Sequence, residues 1–502
     1  MAILDGLASA KSRIIPWPDE MAYLAPFYGR PDRSPFGLFH HFRHFGYSFE
    51  HLARQAQASG AWLVGISSLF SAYEDTALAT AAAVKKACPQ VRVVLGGHHP
   101  TALPGALLAH PAVDFVLRGD GEIGLPALAR ALRQGTPLAD VPGLAWRRSD
   151  GTLAIHPPAR VDDLDHLPPP AFDLIDWHFY RRAGRGGLAL SAGRGCPLRC
   201  TYCAVNAATF HGYRCRSVAG VMAELAAADR QAPLGFIDFE DEHLTADRRW
   251  FLALMAAIRT HFKGRPPELR AMNGLLAASL DETIIGVMCA SGFKTLNLAL
   301  ITTAAAQLKR FNRPDLTAEL DRVLALAARY DMSSVAYLIV AGPGQDPMDS
   351  LQDLLFLARR RVLAGVSVFY PAPGSADYGW CQRQGRLPAS SGLLRATALP
   401  LVHVTDRRQA VTLLRLGRIL NFMKAALDQG ERLPAPAAVP DKLDLSIDRA
   451  AIGRMLLAAF LRDGAVCGVD DEGRVYEHTV DLELARAFRD GIERAPVRGA
   501  IR

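Results

Sequence analysis

Three cysteines in one short stretch, Cys196, Cys200 and Cys203 in the run Cys-Pro-Leu-Arg-Cys-Thr-Tyr-Cys, are the residues of this chain best suited to metal chemistry. Thiolates bind soft metals, and a 4Fe–4S cluster is normally held by four of them. A loop that supplies three leaves one iron open to another ligand. Such an open position separates a catalytic metal site from a structural one. Gly195 ahead of the loop and Tyr202 just before the last cysteine suit a tight turn around a cubane. Structural zinc is the plainer alternative, but zinc sites favour paired CxxC units with a fourth ligand close by.

Two further groups of residues fall where strands are expected to end. Glu240, Asp241 and Glu242 follow the apolar run beginning Gly235-Phe-Ile, where they can receive a cation or simply begin a helix favourably. Ser67 and Ser68, Gly96 and Gly97, and Gly119 with Asp120-Gly-Glu122 put small and hydrogen-bonding groups on one rim. A bulky nucleotide-tailed ligand can slide between such strand ends.

The elements that position these residues alternate. Ser48–Ala58, Tyr73–Ala87 and Gly124–Gln134 are expected as helices, with Pro104–Ala109 a short one. Trp62–Ser67, Val91–Leu95 and Val113–Arg118 are the strands between them. Short apolar strands separated by such helices indicate βαβ units and a parallel sheet. A second series has strands near Leu188–Ser191, Gly235–Glu240, Glu268–Met272, Thr295–Leu300, Ser334–Val340 and Val366–Tyr370, which suggests an incomplete (β/α)6 barrel. The expected organisation is an irregular segment 1–50, a Rossmann-like (flavodoxin-like) domain 51–140 and a proline-rich linker 141–183. A partial barrel 184–378 and a mostly helical region 379–502 complete it. In the last region Leu413–Leu427 and Ile452–Leu461 are helical and Gly464–His478 is hairpin-like. Arg395–His403 and Asn421–Lys424 there are either cavity lining or helix packing.

Bulk properties exclude several classes. Half of the 502 residues are hydrophobic and 21% are charged, as in an ordinary globular protein. A formal charge of +7, with basic residues scattered, does not favour nucleic-acid binding. Eight cysteines, five of them dispersed, make no disulfide framework and fit a reducing cytoplasm. No apolar run is long enough to span a membrane, and Asp5 interrupts any leader-like core.

The CxxxCxxC spacing with its aromatic residue resembles the radical S-adenosylmethionine (SAM) superfamily. The resemblance runs continuously from about 185 to 378 and includes the acidic segment at Asp238–Glu242, Asn273-Gly274, the Gly342-Pro343-Gly344 turn and the closing Pro371-Ala-Pro-Gly-Ser-Ala-Asp-Tyr378. It implies SAM contacts from Tyr202, Glu240, Asp241, Asn273, Gly342 and Gly344. Relatives end the fourth strand in Glu-Ser; here it ends Ile301-Thr302, and Thr302 is expected to keep a hydroxyl contact. Residues 60–122 resemble the cobalamin-binding domain that precedes many such barrels, which implies corrin contacts from Ser67, Ser68, Gly96, Gly97, His98, Gly119 and Glu122. The D-x-H-x-x-G motif, whose histidine ligates cobalt in some cobalamin proteins, is absent from this unit.

The cofactors implied are a 4Fe–4S cluster, SAM and cobalamin. The activity implied is a cobalamin-dependent radical SAM enzyme, a methyltransferase working through a 5′-deoxyadenosyl radical on an unactivated carbon or phosphorus. Its substrate would be a small molecule, such as a natural-product or lipid intermediate, and its electron donor a flavodoxin or ferredoxin. Two rivals remain: a non-methylating enzyme of the same cofactor class, doing cyclisation, ring contraction or oxidative ring formation, and a decayed cobalamin-binding sensor or carrier.

Overall fold

The computed structural model describes residues 3–5, 12–205 and 212–501. Its first sheet is built around α1 (Phe49–Ala58), β1 (Leu63–Ser67), α2 (Glu74–Ala87), β2 (Arg92–Gly96), β3 (Phe115–Leu117) and α3 (Gly121–Gln134). Each expected element is present, with ends shifted by a few residues. Ser48 caps α1, its hydroxyl accepting from the His51 N–H at 3.2 Å. On α2 the small residues Ala77, Ala81 and Val84 recur at helical spacing and pack on the sheet face carrying Val93 and Leu95.

The linker expected at 141–183 is not structureless. Leu144–Arg147 (β4) and Leu153–Ile155 (β5) form a hairpin that continues the sheet in the order β1-β2-β3-β4-β5, parallel through β3 and antiparallel beyond. Prolines flank these strands rather than interrupt them, so the ladder forms despite their density. Within the segment 1–50, Ser12–Ile15 and Phe42–Phe45 form a separate antiparallel ribbon.

The barrel strands are β6 (Arg185–Leu190), β7 (Leu234–Phe239), β8 (Glu268–Arg270), β9 (Thr295–Ile301), β10 (Ser333–Val340) and β11 (Leu363–Val368). All run parallel, in the order β6 to β11. Isolated bridges Leu269–Phe293 and Leu275–Leu298 connect the two halves. Burial alternates along β10: Ala336, Leu338 and Val340 are sealed under the helices, while Tyr337 and Ile339 point to the lumen side. The outer helices include α4 (Val218–Gln231), α5 (Arg248–His261), α6 (Glu282–Ser291), α7 (Ala305–Phe311), α8 (Thr317–Arg329) and α9 (Pro347–Ala358).

The C-terminal region is mainly helical: α10 (Ala376–Arg383), α11 (Arg407–Asp428), α12 (Arg449–Asp463) and α13 (Leu482–Arg494), with a hairpin Cys467–Val469/Val475–Glu477. It covers the open edge of the barrel. The Asn421 carboxamide accepts from the Ala364 N–H at 2.9 Å and donates to the Ala364 carbonyl at 2.8 Å, as a neighbouring strand would. Lys424, one turn on, is buried and donates to the Arg360 and Arg498 carbonyls. Asn421 and Lys424 therefore pack the barrel edge and do not line a cavity. No helix among the described residues is long and apolar enough to cross a membrane.

Candidate active site

The loop after β6 carries the three cysteines and is fastened at both ends. At its start the buried Asp241 accepts from the Ala192 N–H at 3.0 Å, and Glu242 accepts from the Gly195 N–H at 2.9 Å. Gly195 sits at φ +88°, a conformation that favours glycine. At its far end the Thr201 N–H donates to the Phe311 carbonyl at 3.1 Å, and its hydroxyl donates to Asp377 at 2.8 Å. Arg310 holds the other Asp377 oxygen at 2.9 Å. Asn312 donates to the Arg199 carbonyl at 3.0 Å, and the Tyr202 ring meets Phe311 edge-on at 4.9 Å. Loop and helix α7 thus form one unit.

The thiols face common ground. Burial raises the pKa of both Cys196 and Cys203, the latter to about 11, and each feels the charges of Cys200 and Glu242. A bound iron ion deprotonates such a thiol outright. Among the described residues no three His, Cys, Asp or Glu side chains converge on one ion. A cubane gives each thiolate its own iron, and three thiols within electrostatic reach of one another suit such a cluster.

The residues expected around SAM divide into two sets. Glu240 is exposed at the end of β7, its pKa raised by burial of the carboxyl and by Asp238, and Asn273 donates to its carbonyl at 2.8 Å. Deeper in the lumen Tyr337 donates to Asn297 at 3.1 Å. Gly342 passes so close to its neighbours that a Cβ would lie 2.5 Å from Gln307 Nε2, and Gly344 takes φ +76° in open space. Two residues are spent on structure. Asp241 is the loop anchor already described, its carboxyl pushed by burial to about 7. Thr302 is 1% exposed and donates its hydroxyl to Asp353 at 2.7 Å, so the expected contact to SAM through that hydroxyl is not available.

On the first sheet Ser67, Gly96, Gly97 and His98 lie together at the strand ends. Ser67 and His98 are exposed, and the buried Ser68 hydroxyl has no hydrogen-bond partner among the described residues. Gly97 is at φ +122°, and a Cβ there would lie 2.5 Å from the Ser68 carbonyl oxygen. Leu69, Phe70 and Tyr73 on the same rim expose large apolar surfaces, which suits a broad ligand with apolar faces. Gly119 instead packs against the Ala159 backbone. Glu122 is held by Arg194 at 2.6 Å, and Asp120 by Arg194 at 2.7 Å and Arg214 at 3.0 Å. Arg194 stands two residues before Cys196, so this ion-pair group ties the first sheet to the cysteine loop.

Comparison with known families gives the same two units: a B12 binding domain over residues 39–129 and the radical SAM superfamily over residues 190–357. The chain joins a B12 binding domain to a radical SAM domain. Among relatives of the family, cytidylyl-2-hydroxyethylphosphonate methyltransferase of Streptomyces wedmorensis is 24% identical over 71% of this chain and 73% of its own. The anaerobic magnesium-protoporphyrin IX monomethyl ester cyclase of Rubrivivax gelatinosus is 27% identical over 58% of this chain and 53% of its own. The first curated relatives are matched over 44% to 73% of their own length. The radical SAM methyltransferase TsrM from Kitasatospora setae, solved with cobalamin and a 4Fe–4S cluster, shares the fold at a TM-score of 0.58 and 16% identity, over 73% of this chain and 82% of that one.

Several residues that build this radical SAM site carry no motif: Arg194, Asp120, Arg313, Asp353 and Asp377. Their partners are distant in sequence, and only Arg194 and Asp120, beside glycine-rich turns, had a local signal.

Proposed function

We propose that this protein transfers a methyl group to an unactivated carbon or phosphorus of a small molecule. The observation that supports this reading is the ion-pair group of Arg194 with Asp120 and Glu122, which ties the strand ends of the first sheet to the cysteine loop. When bound, the cluster and SAM supply a radical able to take hydrogen from an unactivated position, and cobalamin supplies the methyl group. The chain's own residues would hold and shield these groups. Cys196, Cys200 and Cys203 would each hold an iron. Glu240, with Asn273 fixing its backbone, would receive the SAM ammonium. Gly342 and Gly344 would let backbone approach the nucleoside. Ser67, Gly97 and His98 would line the corrin, with Leu69, Phe70 and Tyr73 excluding water. Residues 379–502 close the barrel and would contribute the selectivity for substrate.

A reduced flavodoxin or ferredoxin is the proposed electron donor, and the cytoplasm the proposed compartment. The test is anaerobic turnover of candidate metabolite pools with methyl-labelled SAM, read by product mass. Label in the product supports methyl transfer. The likeness to a cyclase favours a second reading, in which the product loses hydrogen and carries no label. Failure of the reduced, reconstituted protein to cleave SAM would leave only a binding role.

A further inference from the structure

Arg313 is a guanidinium taken out of water without a visible counter-charge. It is 9% exposed. Its Nη2 donates to the Ala299 carbonyl at 2.8 Å, and its Nη1 lies 3.8 Å from Cys200 Sγ, within reach of an N–H···S hydrogen bond. Its Nε is buried with no hydrogen-bond partner among the described residues. Among the described residues no carboxylate stands in ion-pair reach of it. Glu242, the carboxylate the thiols feel, accepts from Gly195 instead. A buried cation is sustained only by an opposing charge, because desolvation without one is too costly. Arginine cannot shed its proton to escape that cost.

The local backbone aims the side chain. Helix α7 ends at Asn312, which takes the left-handed conformation at φ +52° and binds the Arg199 carbonyl of the cysteine loop. Pro314 follows, and a residue before proline is held out of the helical region. The chain therefore turns sharply at residue 312 and sends the next side chain towards Cys200.

We propose that the counter-ion of Arg313 is the iron–sulfur cluster, and that Arg313 raises the cluster's reduction potential. This rests on the cluster being held by Cys196, Cys200 and Cys203. Three thiolates around a doubly positive 4Fe–4S core leave one net negative charge, and one-electron reduction makes it two. A fixed cation hydrogen-bonded to a ligating sulfur stabilises the more negative state. Net charge and hydrogen bonds to sulfur are among the levers that set cluster potentials. Arg313 is thus a positioning residue for electron entry, and its influence exists before SAM binds.

The experiment uses the full chain, anaerobically reconstituted and without SAM, as the parent and as Arg313→Gln and Arg313→Lys. Iron and sulfide content is measured first, and iron-free parent protein would refute the cluster assignment itself. A redox titration followed by electron paramagnetic resonance then reads the midpoint. The expected result is a midpoint more negative in Arg313→Gln than in the parent, largely restored in Arg313→Lys. An unchanged midpoint in Arg313→Gln overturns the proposal, including the case where that variant only binds SAM more weakly. If Arg313→Gln takes up no cluster, Arg313→Lys decides. Uptake with a midpoint near that of the parent supports a requirement for the charge. Failure of both variants makes Arg313 a packing residue for the Ala299 carbonyl and overturns the proposal.

Discussion

Asp353 offers the sharpest test of how this barrel is held open at its active end. The carboxylate is fully buried on α9 and accepts from Thr302 Oγ1 at 2.7 Å, Thr303 N at 2.6 Å and Thr303 Oγ1 at 2.7 Å. It fixes the turn after β9, where Ile301 sits at φ +78°, a strained conformation for a β-branched residue. Asp353→Ala leaves these three donors without their acceptor. At roughly 1–3 kcal/mol per stranded buried donor, with the hydroxyls partly able to turn elsewhere, the loss should be about 3–5 kcal/mol. Asp353→Asn keeps the shape and an acceptor oxygen, and should lose about half of that. Urea unfolding measures both, and equilibrium dialysis of SAM under anaerobic conditions should show weaker binding as Ile301 relaxes.

The same carboxyl predicts a pH effect. Burial raises its pKa from 3.8 to about 6 in the folded chain. Between those values the folded state keeps a proton that the unfolded state has lost. The stability this contributes is present below about pH 4 and is lost as pH rises through about 6, about 3 kcal/mol in all. Asparagine has no such dependence. From about pH 5 to pH 7 the Asn variant should therefore gain about 1.4 kcal/mol relative to the parent. An Ala variant as stable as the parent, or a parent-to-Asn gap that does not move with pH, would refute the reasoning.

Gly97→Ala forces a Cβ to 2.5 Å from the Ser68 carbonyl at φ +122°. Strain and clash together should cost about 2–4 kcal/mol, read as loss of cobalamin that co-elutes on gel filtration. Cys200→Ala should abolish cluster absorbance while leaving the far-ultraviolet circular dichroism unchanged. Lys424, whose pKa burial lowers from 10.5 to about 7, holds its proton in the unfolded chain over that range but not in the folded one. Stability should thus rise by up to about 1.4 kcal/mol per pH unit above neutrality, and Lys424→Met should flatten that slope in denaturant titrations. Arg194→Ala should cost only about 1 kcal/mol per partly exposed ion pair. It should nevertheless speed proteolysis between the two units, and high salt should make the parent behave likewise.

Much of the architecture was legible because its signals are local. The barrel strands are apolar runs of strand length between helices, and residues such as Ala336, Leu338 and Val340 repeat with a period of two. The β4–β5 hairpin was missed because its prolines lie on either side of strands only three or four residues long. At the site, the three cysteines and Gly97 stand out because residue type and spacing alone single them out. Thr302 and Glu122 are expected to face ligands, whereas their side chains engage Asp353 and Arg194, 51 and 72 residues away, where no local signal points. Asp241 shows the same limit: its residue type suggests a ligand for a cation, whereas its burial makes it an anchor for the loop.

The clamp on the far side of the cysteine loop bears on how the protein is made. Thr201 is locked by Asp377, which lies 176 residues later in the chain. A nascent polypeptide leaving the ribosome exposes all three cysteines long before Asp377 has been synthesised. The loop therefore acquires its final shape only after the last barrel strand and the turn beyond it have emerged. Cluster insertion would then be a late event, and the thiols spend about a third of translation in need of protection from oxidation and stray metal.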